Sequence, residues 1–168
     1  MENRAGYKNT ELGWIPESWE VVALKNCVSN FIVPMRDKPK IFDGDIPWCR
    51  IEDFNGKYLS GSKDGKCVSN DLINSMHLKV YPIGTVLCSC SANIGVCAIT
   101  TNFLITNQTF IGLYPSDCLE KEFLYYLMSF NANNLQKIST GTTIAYLPRE
   151  KFETYRIPLP PLPEQQKI

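Results

Sequence analysis

Histidine is almost missing from this 168-residue sequence, where His77 stands alone. No nucleophile motif accompanies it, so Ser/His/Asp and Cys/His chemistry has no starting point. Also missing is a glycine-rich turn running into Lys-Ser/Thr, which removes the usual phosphate cradle of nucleotide hydrolases. Cysteine occurs seven times, an odd number that no closed disulfide set uses up, and never as paired Cys-x-x-Cys knuckles. The cluster of Cys88, Cys90 and Cys97 reads as reduced thiols in strand cores, so neither a metal site nor a cofactor is expected. No apolar run is long enough to span a bilayer. The start, Met1-Glu2-Asn3-Arg4, leads into polar residues and not into a secretory apolar stretch. A cytoplasmic chain with no membrane partner is the expectation. Formal net charge is zero, so bulk attraction to a polyanion is lacking as well.

What is present fits one globular domain with an ordinary apolar fraction. Its charges are unevenly spread. Between Asp71 and Asp117 the one charged side chain is Lys79, and between Glu122 and Glu150 there are Lys137 and Arg149 but no acid. Such windows can approach a phosphate backbone without carboxylate repulsion, although buried strands would also be uncharged. Trp14, Ile15, Pro16 and Trp19 predict an extended arm packing its rings on the domain. Ile46-Pro47-Trp48-Cys49-Arg50-Ile51 predicts a strand, and Ser69 an N-cap opening a helix. Residues 84–90 and 96–100 pattern as a hairpin, with Gly95 free to take positive φ in its turn. Residues 106–114 form another β-rich run. The helical spacing of Leu119, Phe123, Leu127 and Met128, continued by Leu135 and Ile138, predicts one helix from Ser116-Asp117 to near Gly141. A short helical turn follows Pro148, then a strand over residues 155–159 whose proline suits an edge. Pro163 stands where a new helix would begin. The fold class is α/β (α+β): a mixed, twisted sheet with a few helices.

The tail, Arg156-Ile157-Pro158-Leu159-Pro160-Pro161-Leu162-Pro163-Glu164-Gln165-Gln166-Lys167-Ile168, resembles the segment that closes a target-recognition domain in type I restriction–modification specificity subunits. Three further stretches are similar to the same family, in the same order. These are Gly13-Trp14-Ile15-Pro16-Glu17-Ser18-Trp19-Glu20, then Ile46-Pro47-Trp48-Cys49-Arg50-Ile51-Glu52-Asp53, then Gly84-Thr85-Val86-Leu87 with Asn93-Ile94-Gly95-Val96. Thr85 occupies a position where the family usually carries Asp. The resemblance implies a DNA-reading domain over residues 1–160, of the N-terminal kind, and the start of a truncated spacer helix over residues 161–168. It implies sequence-specific binding of one half of a split double-stranded site. Methylation and cleavage would belong to methyltransferase and restriction subunits. No adenine-methyltransferase Asn/Asp-Pro-Pro-Tyr/Phe motif is present here, so no enzymatic activity is expected of the chain. On its own it is expected to be a monomer. Two other readings are a recognition module of a fused restriction–methylation enzyme and a protein-binding α/β module without a DNA role.

DNA readout needs groups that position phosphates and groups that read base edges. The loop Ser139-Thr140-Gly141-Thr142-Thr143, with Tyr146 and Arg149 just beyond, suits the first task. Its other reading is a helix C-cap at Gly141 with solvated threonines. Arg36, Lys38 and Lys63 are candidate phosphate contacts in the richest basic segment, which acids interleave. Ser91 and Asn93 at the hairpin turn complete the candidate set. Asn107, Gln108 and Thr109 could bond a base, but on a strand Gln108 is expected to satisfy a buried backbone group.

Overall fold

The computed structural model describes residues 4–168, so the reading of Met1-Glu2-Asn3 lies outside them. The chain opens with a hairpin of β1 (Tyr7–Thr10) and β2 (Gly13–Pro16). The expected extended arm is thus a folded ribbon, which buries Ile15 and leaves both Trp14 and Trp19 half-exposed. β3 (Glu20–Ala23) runs into a 3-10 turn at Leu24–Asn26 and then β4 (Val28–Ile32). Residues 33–45 are irregular, as their prolines and glycine predict. β5 (Ile46–Cys49) ends in a second 3-10 turn, Ile51–Asp53. Glu52 and Asp53 therefore lie on a turn and not on the strand. Asp53 is its anchor, accepting from the backbone N–H of Arg50 and of Lys63, both at 2.8 Å.

Two short strands, β6 (Tyr58–Leu59) and β7 (Cys67–Val68), precede α1 (Asn70–Met76). Ser69 caps α1 as expected, its hydroxyl accepting from Leu72 N–H at 3.3 Å. His77 closes the same helix in a left-handed conformation, φ 54°. Its role is a turn, one that histidine tolerates better than most residues. The predicted hairpin forms from β8 (Val86–Ser89) and β9 (Cys97–Thr100), and Gly95 in its turn has φ +98°. The run at 106–114 is two strands, β10 (Ile105–Thr106) and β11 (Phe110–Pro115), separated by a turn.

Among the described residues, twelve strands form four small sheets. The largest has the order β4-β11-β8-β9-β6, antiparallel except for the β6–β9 pair. Both of its faces are covered, which is why every residue of β8 and β9 is buried and no polar alternation shows in the sequence. Val86, Cys88, Ile99, Ile111 and Leu113 face one core, with Leu124 and Met128 of the following helix. Leu87 and Ala98 face the other, with Tyr81 and Leu104. The Tyr81 ring lies against Gly112, where an added Cβ would come within 2.5 Å of it. Thr85 is structural: fully buried, its hydroxyl donates to the Pro82 carbonyl at 2.6 Å.

The single long helix expected from Ser116 is two, α2 (Lys121–Phe130) and α3 (Ala132–Lys137). Ser116 does not cap it; its hydroxyl donates to the Cys27 carbonyl at 2.7 Å. The run breaks at Asn131, where the Leu127 carbonyl accepts from both the Asn131 backbone N–H at 3.0 Å and its side-chain amide at 2.8 Å. The helix ends at Lys137 with Ile138 as its C-cap, so Gly141 is not a helix cap. α4 (Arg149–Glu153) follows Pro148 as predicted, and β12 (Arg156–Leu159) pairs with β3 alone. α5 (Leu162–Gln165) carries a proline in its first turn. It is docked: Gln165 is 1% exposed, accepts from Glu120 N–H at 2.8 Å, and donates to the carbonyls of Cys118 and Pro160, both at 2.9 Å.

Candidate nucleic-acid interface

The loop between α3 and α4 is a small ribbon. Thr140 and Tyr146 exchange both backbone hydrogen bonds, each 2.8 Å. Its base is fixed to the β8–β9 hairpin. Leu147 N–H donates to the Cys90 carbonyl at 2.8 Å, and Ala92 N–H donates to the Ala145 carbonyl at 3.0 Å. Gly141 has φ +106°, and a Cβ there would sit 2.3 Å from the Ile144 oxygen, so the tight turn requires glycine. Thr142, Thr143 and Ile144 all point into solvent. The two acid-free sequence windows, distant in the chain, are thereby brought edge to edge.

Beside this ribbon lies a cleft of about 320 Å³. Ser91 and Tyr146 line it from the ribbon side, and Gln108 and Thr109 from the turn before β11. Val33, Pro34 and Arg36 form the facing wall. No carboxylate lines it. Arg36 makes no ion pair with a described residue, in contrast to Arg50, Lys57, Arg149 and Arg156. Gln108 corrects the expectation of a buried structural role, since it is exposed and lines the cleft. The neighbouring Asn107 side-chain oxygen accepts from the Thr109 hydroxyl at 2.8 Å.

The other candidates distribute around this centre. Asn93 is exposed in the β8–β9 turn. Lys38 lines a second cavity of about 650 Å³, with Arg36 at the border between the two and Leu72 and Met76 as an apolar floor. Arg149 is engaged: its Nε lies 2.5 Å from Glu153 and its guanidinium lies 5.9 Å from the Phe31 ring centre. Lys63 lines neither cavity, sitting instead on the loop held by Asp53.

The model of the type I restriction modification DNA specificity domain family matches residues 16–168. The chain belongs to that family. Among curated relatives, this specificity domain is 34% identical over 167 residues to the type I restriction enzyme MjaIX specificity subunit of Methanocaldococcus jannaschii. It is 31% identical over 157 residues to the EcoprrI specificity subunit of Escherichia coli. The alignments cover 96% and 89% of the chain but 39% and 37% of those relatives, so the domain spans well under half their length. Two solved structures share its fold. One is a chain from work on complex assembly and conformational transition of the type I R-M system, with TM-score 0.73, 24% identity, and coverage of 91% of this chain and 37% of that one. The other is the HsdS subunit from Thermoanaerobacter tengcongensis, with TM-score 0.71, 23% identity, and coverage of 91% and 36%.

Most thiols of the specificity domain are core material, while Cys67 is partly buried and Cys118 is exposed. Cys88, Cys90 and Cys97 are buried, and Cys88 and Cys97 face each other across the hairpin with sulfurs 3.6 Å apart. Burial pushes the Cys27 and Cys49 thiols up to about 12 and that of Cys90 to about 11, so these three stay protonated near neutral pH. Ile144, exposed beside the candidate threonines, is a further candidate that the sequence reading did not include. A β-branched residue inside a loop of small hydroxyl residues was the available signal.

Proposed function

We propose that this domain binds duplex DNA and reads a few base pairs in one half of a bipartite site. It would place adenine-methyltransferase and restriction subunits on that site without chemistry of its own. In this reading, residues 1–160 are the reader and residues 161–168 lead into the spacer helix. The domain works in the cytoplasm and is a monomer when isolated.

One observation carries the reading: a cleft free of carboxylates, with an arginine that pairs with no described acid on one wall and neutral hydroxyl and amide side chains on the other. Arginine, hydroxyls and amides are the groups that hold phosphate oxygens and sugars, and they fix register on a duplex without reading it. A strand of the backbone seated there would bring the ribbon at 140–146 over the adjoining groove. The two acid-free windows explain how a chain of zero net charge can still offer DNA a surface without repulsion.

The test is selection from a randomised duplex library at low salt, repeated with the double variant Thr142→Glu/Thr143→Glu. The wild-type chain is expected to enrich one short motif, and the variant to lose at least ten-fold in affinity for it. Both threonines are exposed, so the variant should keep the wild-type circular dichroism spectrum. Absence of any enriched motif from the wild type, or full binding by the variant, would exclude this reading.

A further inference from the structure

Ile144 is 60% exposed at the end of a ribbon that is otherwise hydroxyl and backbone. The arrangement below it is held by main-chain hydrogen bonds. The Thr140–Tyr146 pair closes the ribbon, Gly141 makes the tight turn, and the bonds from Leu147 and Ala92 fix its base. Nothing in that frame needs an apolar side chain at the tip, because the buried residue anchoring the loop is Leu147, at 1% exposure. Tyr146 bridges Thr140 on one side and Ser91 on the other, and from there the chain turns back as an exposed loop whose outer side chains are Thr142, Thr143 and Ile144.

A single chain turning back on itself in this way is narrow enough for the major groove of B-form DNA, roughly 12 Å wide. There, each base pair presents a distinct pattern of donors and acceptors, and thymine alone presents an apolar group, its C5 methyl. An isoleucine side chain has no hydrogen-bonding atom, so the base edge it complements is that methyl. We propose that Ile144 is a specificity-determining residue that reads a thymine by packing on its C5 methyl in the major groove. The assignment rests on the DNA-reading function proposed above. It names the chemistry of one base position, an A·T pair, which the clustering of polar donors in the cleft does not.

The experiment exchanges thymine for deoxyuridine, which removes the methyl and leaves every hydrogen-bonding group of the pair in place. The motif selected by the wild-type chain is resynthesised with deoxyuridine at each thymine in turn, and affinities are compared for wild type, Ile144→Ala and Ile144→Val. One deoxyuridine position is expected to weaken wild-type binding about four-fold, the worth of one buried methyl. Ile144→Ala should bind thymine and deoxyuridine duplexes equally at that position, while Ile144→Val keeps part of the difference. Sensitivity to deoxyuridine that is unchanged in Ile144→Ala overturns the assignment. So does a wild-type motif without an A·T pair, or one in which no deoxyuridine matters. These outcomes differ from failure to select any motif, which removes the DNA-reading function itself. A protein partner at this tip would appear as that last result.

Discussion

Gln165 is a side chain whose meaning lies wholly in its surroundings. In the sequence it is one of two adjacent glutamines in a proline-rich tail; in the fold it fills a buried slot with all three of its hydrogen bonds to backbone groups. Gln165→Ala leaves an N–H and two carbonyls without that partner, and the expected loss is about 2–4 kcal/mol of unfolding free energy. Urea denaturation of both proteins measures it; a loss under about 0.5 kcal/mol would mean that water replaces the amide without cost. Residue-scale roles of this kind are poorly legible in a sequence. Ser69 was, because a cap bonds three residues away. Gln108 was not, since its exposure depends on a turn splitting a run that patterned as one strand. Thr85 likewise gains its partner from a turn geometry that no periodicity reveals.

At the scale of elements, β6 is held to α2 by a compact polar clasp. Lys57 Nζ lies 2.7 Å from Glu122 and 3.2 Å from the Tyr126 hydroxyl, and the Tyr58 hydroxyl donates to Glu122 at 2.6 Å. The ammonium also sits 5.0 Å and 5.1 Å from the centres of the two tyrosine rings. The hydrogen bonds to Glu122 and then Tyr126 push the Lys57 ammonium up. Burial alone would push the Glu122 carboxyl up, but Lys57 and Tyr58 outweigh it and hold the carboxyl below its ordinary value. A carboxyl depressed by folding stabilises above its unfolded value, and that contribution disappears as pH falls through the folded one. The raised lysine contributes below its own unfolded value and loses this only in strong alkali. Glu122→Gln is therefore expected to be less stable than wild type near neutrality, with the gap closing below about pH 4. Thermal melts across that range check it, and a gap independent of pH would show that packing, not charge, is what the substitution removes. The helix carrying Glu122 was legible from its apolar spacing, but its end was not. Asn131 stops it by bonding Leu127 and by accepting from the Tyr155 hydroxyl at 3.0 Å, a contact from a distant part of the chain.

For the molecule as a whole, charge is balanced and the contrast is local. Arg50, Lys57, Arg149 and Arg156 are matched by acids, while Arg36 has no acid partner among the described residues. If Arg36 meets a phosphate, Arg36→Ala weakens binding to all sequences alike and reduces the slope of log affinity against log salt by about one. A change in preferred motif with an unchanged slope would assign Arg36 to a base instead. The order of motifs along the chain was readable, and so was the mixed α+β class. The interface was readable only in pieces. Arg36, Ser91 and Tyr146 meet because β4, β8 and the loop after α3 converge, and long-range pairing of that kind leaves no mark at any single position. The base of the ribbon has one more consequence. It is secured by bonds between main-chain atoms, at Thr140, Tyr146, Leu147 and Ala92, so the frame is indifferent to which side chains stand at 142, 143 and 144. If the loop reads DNA as proposed, substitutions at these three positions are expected to change the target while leaving the scaffold folded.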